Sequence, residues 1–412
     1  MRRLALAALV VLSTVLPARA YSVLAHEALV DSAWDGSIRP LLMRRFPRTT
    51  PDALMEARSY AYGGSVIQDL GYYPFGNKFF SNLLHYTRSG DFIARMIRDA
   101  HDPNELAFAL GALAHFVGDT TGHREAVNPS VPILFPKLGA RFGNEVTYVE
   151  APKQHIITEF SFDVVQTAAG TYEPAAYRRF IGFRVAKPLL ERAFLETYGL
   201  ELKDVFPSED RAISTYRYAV SQIMPALTKA AWRDKRKEIA TLIPNVQQNA
   251  FVFQYGRIDF ERQYGKDYDK PALFARFLAV VYRIVPKFGP LKKLSFKAPT
   301  PEAQEKFIQS FEDARTRYRS ALEKVAAGNI DIRNADFDTG NPARHGEYAL
   351  ADETYAELLE KLTKRSFAGV TPALRRDVLA FYGQNPSPSS SKEVRKHWDE
   401  VSTQLTALRN QH

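Results

Sequence analysis

Two histidines and an aspartate stand four residues apart in His115-Phe-Val-Gly-Asp119-Thr-Thr-Gly-His123, directly after the apolar run of residues 106–114. On a helix, each step of four drifts by about 40° around the axis, so the three side chains keep to one face. Imidazole is a borderline-soft nitrogen ligand and carboxylate a hard oxygen one, a mixture that suits zinc. Taken alone, the triplet reads equally well as a polar helix end that carries two histidines. A second pair at the same spacing, His155 and Glu159, lies on another apolar segment and can grip an ion from one face.

Three more candidates come earlier in the chain. His26 sits near the start of a segment with one apolar face, residues 24–34. Asp69 lies among Gly63, Gly64, Gly71, Pro74 and Gly76, which place it in or beside a loop with Tyr62, Tyr72, Tyr73 and Phe75 around it. That setting suggests a carboxylate ligand at the rim of an aromatic-lined cleft, or else a turn residue that bonds its own backbone. His85 follows on the short apolar segment Phe79-Phe-Ser-Asn-Leu-Leu-His85. Five of the nine histidines therefore fall between residues 26 and 155 in ligand-like settings, three of them four residues from a carboxylate. Such an ensemble is hard to reconcile with coincidence, and it points to a metal site.

The elements needed to hold these groups read as helices. His101-Asp-Pro-Asn-Glu105 has the capping and first-turn acidity of a helix start, with His101 structural. Gly118, Thr120, Thr121 and Gly122 form poor helix and mark a weak point that bound metal would fix. Helical patterning continues over residues 175–199, 208–242, 274–285, 302–327, 351–364 and 371–382. The stretch Asn334-Ala-Asp336-Phe-Asp338, running on to Pro342 and His345, reads as a turn-rich surface loop, with an extra site at Asp336, Asp338 and His345 the less favoured reading, and Pro386-Ser-Pro-Ser-Ser-Ser391 as a flexible linker. Strand-like alternation is scarce, so the expected class is all-α. No glycine-rich phosphate loop, Gly-x-Ser-x-Gly elbow or repeat of 20–50 residues is present.

Residues 1–20 have the pattern of an export signal: Arg2 and Arg3, an apolar core over 4–16, then Ala18-Arg-Ala20. The apolar core is too short to span a bilayer, and no later run is long enough. The expected mature chain begins at Tyr21, in the periplasm or outside the cell. It contains no cysteine, so no disulfide holds it. Loss of Arg2, Arg3 and Arg19 lowers the net charge from +9 to +6, a surface that still favours anionic partners. His26 lies close behind the new N-terminus, whose amine is readily neutral and, with its own carbonyl oxygen, can chelate a metal.

The ordered set His26, Asp69, His85, His115, Asp119, His123, His155 and Glu159, with an N-terminus five residues before His26, resembles the zinc-dependent phospholipase C family. That family includes the catalytic domain of glycosylphosphatidylinositol-specific phospholipase D and, more distantly, the single-strand-specific zinc nucleases. The likeness covers residues 21–245 and implies a helical catalytic domain there, with residues 246–412 a helical region of unknown role. It implies three zinc ions. Asp69, His85, His115 and Asp119 would hold the first, and His123, His155 and Glu159 the second. The third would take the Tyr21 amine and carbonyl, His26 and Asp119, which thereby bridges two metals. Asp69 would also orient the attacking water.

Two departures stand out. Tyr21 replaces the tryptophan usual at the mature terminus of the phospholipase C and nuclease branches. The interval from Asp119 to His123 is shorter than in those branches and matches the phospholipase D-like one. The resemblance thus implies a zinc-dependent phosphodiesterase acting on phospholipids or lipid-linked phosphodiesters, with transient contact at a membrane surface. A single-strand nuclease on the same scaffold is the alternative, and the short interval makes nucleic acid the less favoured partner.

Overall fold

A computed structural model describes residues 22–169, 182–224, 237–238, 296–384 and 388–411. Every regular element among the described residues is a helix or helical turn, as the scarcity of alternation predicts. The expected export signal, Tyr21 and the 274–285 helix lie outside the described residues.

The chain is built around α6, Pro103–Gly122. Asp102 caps it by accepting a hydrogen bond from the Glu105 backbone N–H at 2.8 Å, and Glu105 reaches back to the His101 N–H at 2.9 Å. These satisfy donors that a helix start leaves open. Residues 106–115 are then buried without exception, so this helix is apolar all round and forms the axis of the bundle.

Against it pack α1, Val23–Ala33, α3, Pro51–Gly64, and α5, Ser89–Asp99. The α3 crossing is the tightest, because Gly111 presents no side chain. A Cβ there would stand 2.0 Å from the Ala61 carbonyl oxygen, and one on Gly64 would stand 2.0 Å from that of Phe108. α4, Lys78–Tyr86, and α9, Pro152–Ala169, complete the surroundings of the site. α10, Lys187–Tyr198, and α11, Glu209–Tyr218, lie further along the chain. Tyr216 ties α11 to α3 by donating to the Gly63 carbonyl at 2.6 Å.

The later helices join the same core. α12, Pro301–Ala326, lies along α6, and Tyr318 donates to the Leu110 carbonyl at 2.9 Å. α13, Ala349–Lys364, packs on α4, while α14, Pro372–Tyr382, and α16, Trp398–Arg409, close that side. Two segments differ from expectation. Ser389 and Ser390 are bonded to the buried Asp352 carboxylate, and Ser391 caps the turn Lys392–Lys396, so the serine run is structured where described. The 336–338 loop, expected at the surface, is buried.

Replacing Gly111 by Ala should force α3 and α6 apart and cost about 3 kcal/mol or more of stability. Denaturant unfolding of the two proteins measures it, and an unchanged midpoint would show that the crossing has slack.

Candidate metal centre

Each candidate side chain is placed by a different part of this bundle. His26 comes from α1, whose start is pinned to α9 by the Leu24 N–H donating to Asp163 at 3.0 Å. Asp69 sits in the helical turn Ile67–Tyr72, His85 near the end of α4, and His115 and Asp119 in the second half of α6. After Gly122 the helix widens into a π-turn, His123–Val127. The His123 N–H still bonds the Asp119 carbonyl, so His123 keeps its α-helical place, about 12 Å along the axis from His115. That is too far to share one ion with His115, and His123 meets His155 and Glu159 of α9 instead.

The residues form three buried sets, His26 with His115 and Asp119, Asp69 with His85 and His115, and His123 with His155 and Glu159. Within each set the ligand-capable atoms lie within 4.8 Å of one another. Asp119 is the centre of the first two. Its Oδ1 stands 3.1 Å from His26 Nε2, and its Oδ2 stands 3.2 Å from His115 Nε2 and 3.6 Å from His85 Nε2. His85 Nε2 is also 3.4 Å from Asp69 Oδ1.

These separations suit zinc. Ligand atoms at the corners of a tetrahedron with zinc bonds near 2.0–2.1 Å lie about 3.4 Å apart, whereas a charge-assisted hydrogen bond would draw them to about 2.8 Å. Asp69 Oδ1, His85 Nε2, His115 Nε2 and both Asp119 oxygens are buried and complete no hydrogen bond of proper geometry. Left so, they would be costly; around a cation they are satisfied. The histidines are also oriented for it. His85 Nδ1 is 2.7 Å from the Ser81 carbonyl and His115 Nδ1 is 2.9 Å from that of Ser65. Each carbonyl accepts the Nδ1 proton and leaves Nε2 facing the centre.

Gly118 acquires a reason here. A Cβ at that position would come within 3.0 Å of His26 Nδ1, so the weak helix former makes room for the ring. His26 and His115 stack with centroids 4.1 Å apart, too close for both to be cations. Burial, then the neighbouring His115 charge, push His26 below its ordinary 6.5. Burial also opposes charge on His115, but the Asp119 and Asp69 carboxylates outweigh it and push that histidine up to about 9. Burial alone would raise Asp119; the two imidazoles overcome it and hold the carboxyl well below its ordinary range.

The third set is differently supported. His155 Nδ1 is 2.8 Å from Glu159 Oε1, and His155 Nε2 is 2.7 Å from Asn128 Oδ1. His123 and His155 stack at 5.0 Å, and His123 Nδ1 is 3.0 Å from Asp338 Oδ1. Asn128, Asp338 and Phe337, whose ring lies 4.7 Å from that of His85, were not among the expected site residues. An Asp-x-Asp in a turn-rich stretch was the available signal, but nothing in it marks burial.

The aromatic cleft expected around Asp69 is packed instead. Tyr62 and Tyr73 are buried in the core, and Tyr72 turns its hydroxyl to Asn82 at 3.1 Å. Phe75 alone of the four is exposed.

Residues 25–207 match the family model of zinc dependent phospholipase C. The match implies a hydrolase acting on phosphoric diesters. No curated protein and no solved structure gives a significant match. Among the described residues no helix is long and apolar enough to cross a membrane.

A pH effect follows for zinc-free protein. The folded value of His115, about 9, lies above its ordinary 6.5, so folding favours its cation. That contribution is complete below pH 6.5 and is lost as the pH rises through 9. Calorimetry of the zinc-free protein should show stability falling across that window, and Asp119→Asn should flatten the fall. A wild-type profile equally flat would contradict the pairing.

Proposed function

We propose that the protein is an exported zinc-dependent phosphodiesterase that hydrolyses phospholipids, using three zinc ions. The observation that carries this is the buried convergence of His26, His85 and His115 on the two oxygens of Asp119, with Asp69 beside His85. In this reading Asp69, His85, His115 and Asp119 hold the first ion, and His123, His155 and Glu159 the second. The third is held by His26, Asp119 and the amine and carbonyl of Tyr21. Bound zinc supplies Lewis acidity toward the phosphoryl oxygens and makes a coordinated water acidic enough to ionise near neutral pH.

The chain's own groups do the rest. Asp119 spans two positions because its oxygens face different imidazoles. By analogy with the family, Asp69 is the carboxylate that would orient the attacking water and accept its proton. Ser22 is extended ahead of α1, and the Leu24 N–H bond to Asp163 fixes the start of that helix and with it His26. The short Asp119–His123 interval, like that of the phospholipase D-like branch, favours a lipid phosphodiester over a nucleic acid.

Mature protein beginning at Tyr21 should hydrolyse phosphatidylcholine and leave single-stranded DNA intact in a parallel assay. One additional residue ahead of Tyr21 should lower activity by about 10-fold or more through loss of the third ion. DNA cleavage without lipid hydrolysis would overturn the substrate class, and undiminished activity and zinc content in the extended protein would remove the terminal amine from the ligand set.

A further inference from the structure

We infer that Asp338, from the part of the chain beyond the family match, is a positioning residue for the second metal group. This rests on the proposal above that His123, His155 and Glu159 hold an ion. A histidine ligand works best when its other ring nitrogen donates to a fixed acceptor, which sets the tautomer and raises the basicity of the bound nitrogen. His85 and His115 use the backbone carbonyls of Ser81 and Ser65 for this purpose. The group placed against His123 Nδ1 is Asp338 Oδ1, 3.0 Å away, with both side chains 1% exposed; the two atoms are in ion-pair contact, short of proper hydrogen-bond geometry. A carboxylate is a stronger acceptor than a carbonyl, so a small turn of the ring onto Oδ1 would fix it more firmly than a carbonyl would.

The loop is built to present that carboxylate. Asp336 Oδ1 accepts the Asp338 N–H at 2.8 Å and its Oδ2 accepts the Thr339 hydroxyl at 3.0 Å, which folds the turn on itself. The Phe337 N–H donates to the His85 carbonyl at 3.2 Å, tying the loop to α4. The Tyr348 hydroxyl donates to Asp338 Oδ2, leaving Oδ1 for His123. The same residue reaches the other histidine through its main chain. Asn128 Nδ2 donates to the Asp338 carbonyl at 2.8 Å, which turns Asn128 Oδ1 toward His155 Nε2. One residue thus fixes the orientation of both histidines in the group. The later part of the chain supplies the outer shell of a centre whose candidate ligands all lie earlier.

The test is zinc retention in the full mature chain, read by elemental analysis after dialysis against graded concentrations of a chelator. Asp338→Asn should release one ion per chain at a chelator concentration about 10- to 100-fold lower than wild type, the range found for such outer partners. The other two ions should stay. Asp338→Glu should recover part of the loss. Tyr348→Phe, which leaves the loop carboxylate in place, should shift the same ion in the same direction by a smaller factor. It keeps the question answerable if Asp338→Asn folds poorly. Unfolding of the zinc-free proteins separates the roles, because a positioning residue moves zinc retention more than it moves metal-free stability. Loss of all ions together, in step with a matching fall in metal-free stability, would overturn the inference. So would wild-type retention in Asp338→Asn and Tyr348→Phe while Glu159→Gln loses an ion. If Glu159→Gln also keeps every ion, the second metal group itself fails and the inference falls with it.

Discussion

A carboxylate with no solvent exposure, set among three imidazoles, is the constraint on which the rest depends. Asp119 cannot be buried as an anion unless positive charge lies against both of its oxygens. Imidazoles alone supply that poorly, because stacked His26 and His115 cannot both be protonated. In the proposed reading a divalent cation at each oxygen would resolve the conflict and would also satisfy Nε2 of His85 and His115. The absence of disulfides makes this more than a local matter. Elements far apart in sequence, α1, α4 and α6, meet at this one side chain, with the turn that carries Asp69 joined to it through His85, so bound metal would stabilise the fold.

The geometry around Asp119 is set by helix packing. Glycine at 111 and at 64 lets α3 and α6 approach backbone to backbone, which brings the Ser65 carbonyl within reach of His115. Gly118 admits the His26 ring. The unfavourable helix former at 118 is therefore an answer to crowding, and an alanine there would make a better helix and a worse site.

Much of this was legible in the sequence. Spacing of four marked His115, Asp119, His155 and Glu159, and the capping signal placed the start of α6 within a residue. That His123 falls in a different set from His115 follows from the rise of about 12 Å between them on a helix, but its partners on α9 were not legible from spacing. Asp338 and Asn128 were missed for a different reason. Their importance comes from contacts across long stretches of chain, and a turn-rich Asp-Phe-Asp segment looks like solvent-exposed loop until its burial is seen. The aromatic residues near Asp69 show the converse error, in that local richness in tyrosine suggested a cleft where packing made a core. The export signal and the Tyr21 terminus lie outside the described residues.

The later helices, α12 on α6 and α13 on α4, belong to the same hydrophobic core as the family-matched part, and their connecting loop covers the metal-facing side with Phe337. The side chains of the centre are consequently buried, which strengthens the charge interactions among them. The most direct test of the account is an anomalous difference map from crystals of the mature protein, collected at the zinc absorption edge. Three peaks are expected, two of them flanking the Asp119 carboxylate with one oxygen toward each. A map with a single peak, or with none beside Asp119, would contradict it.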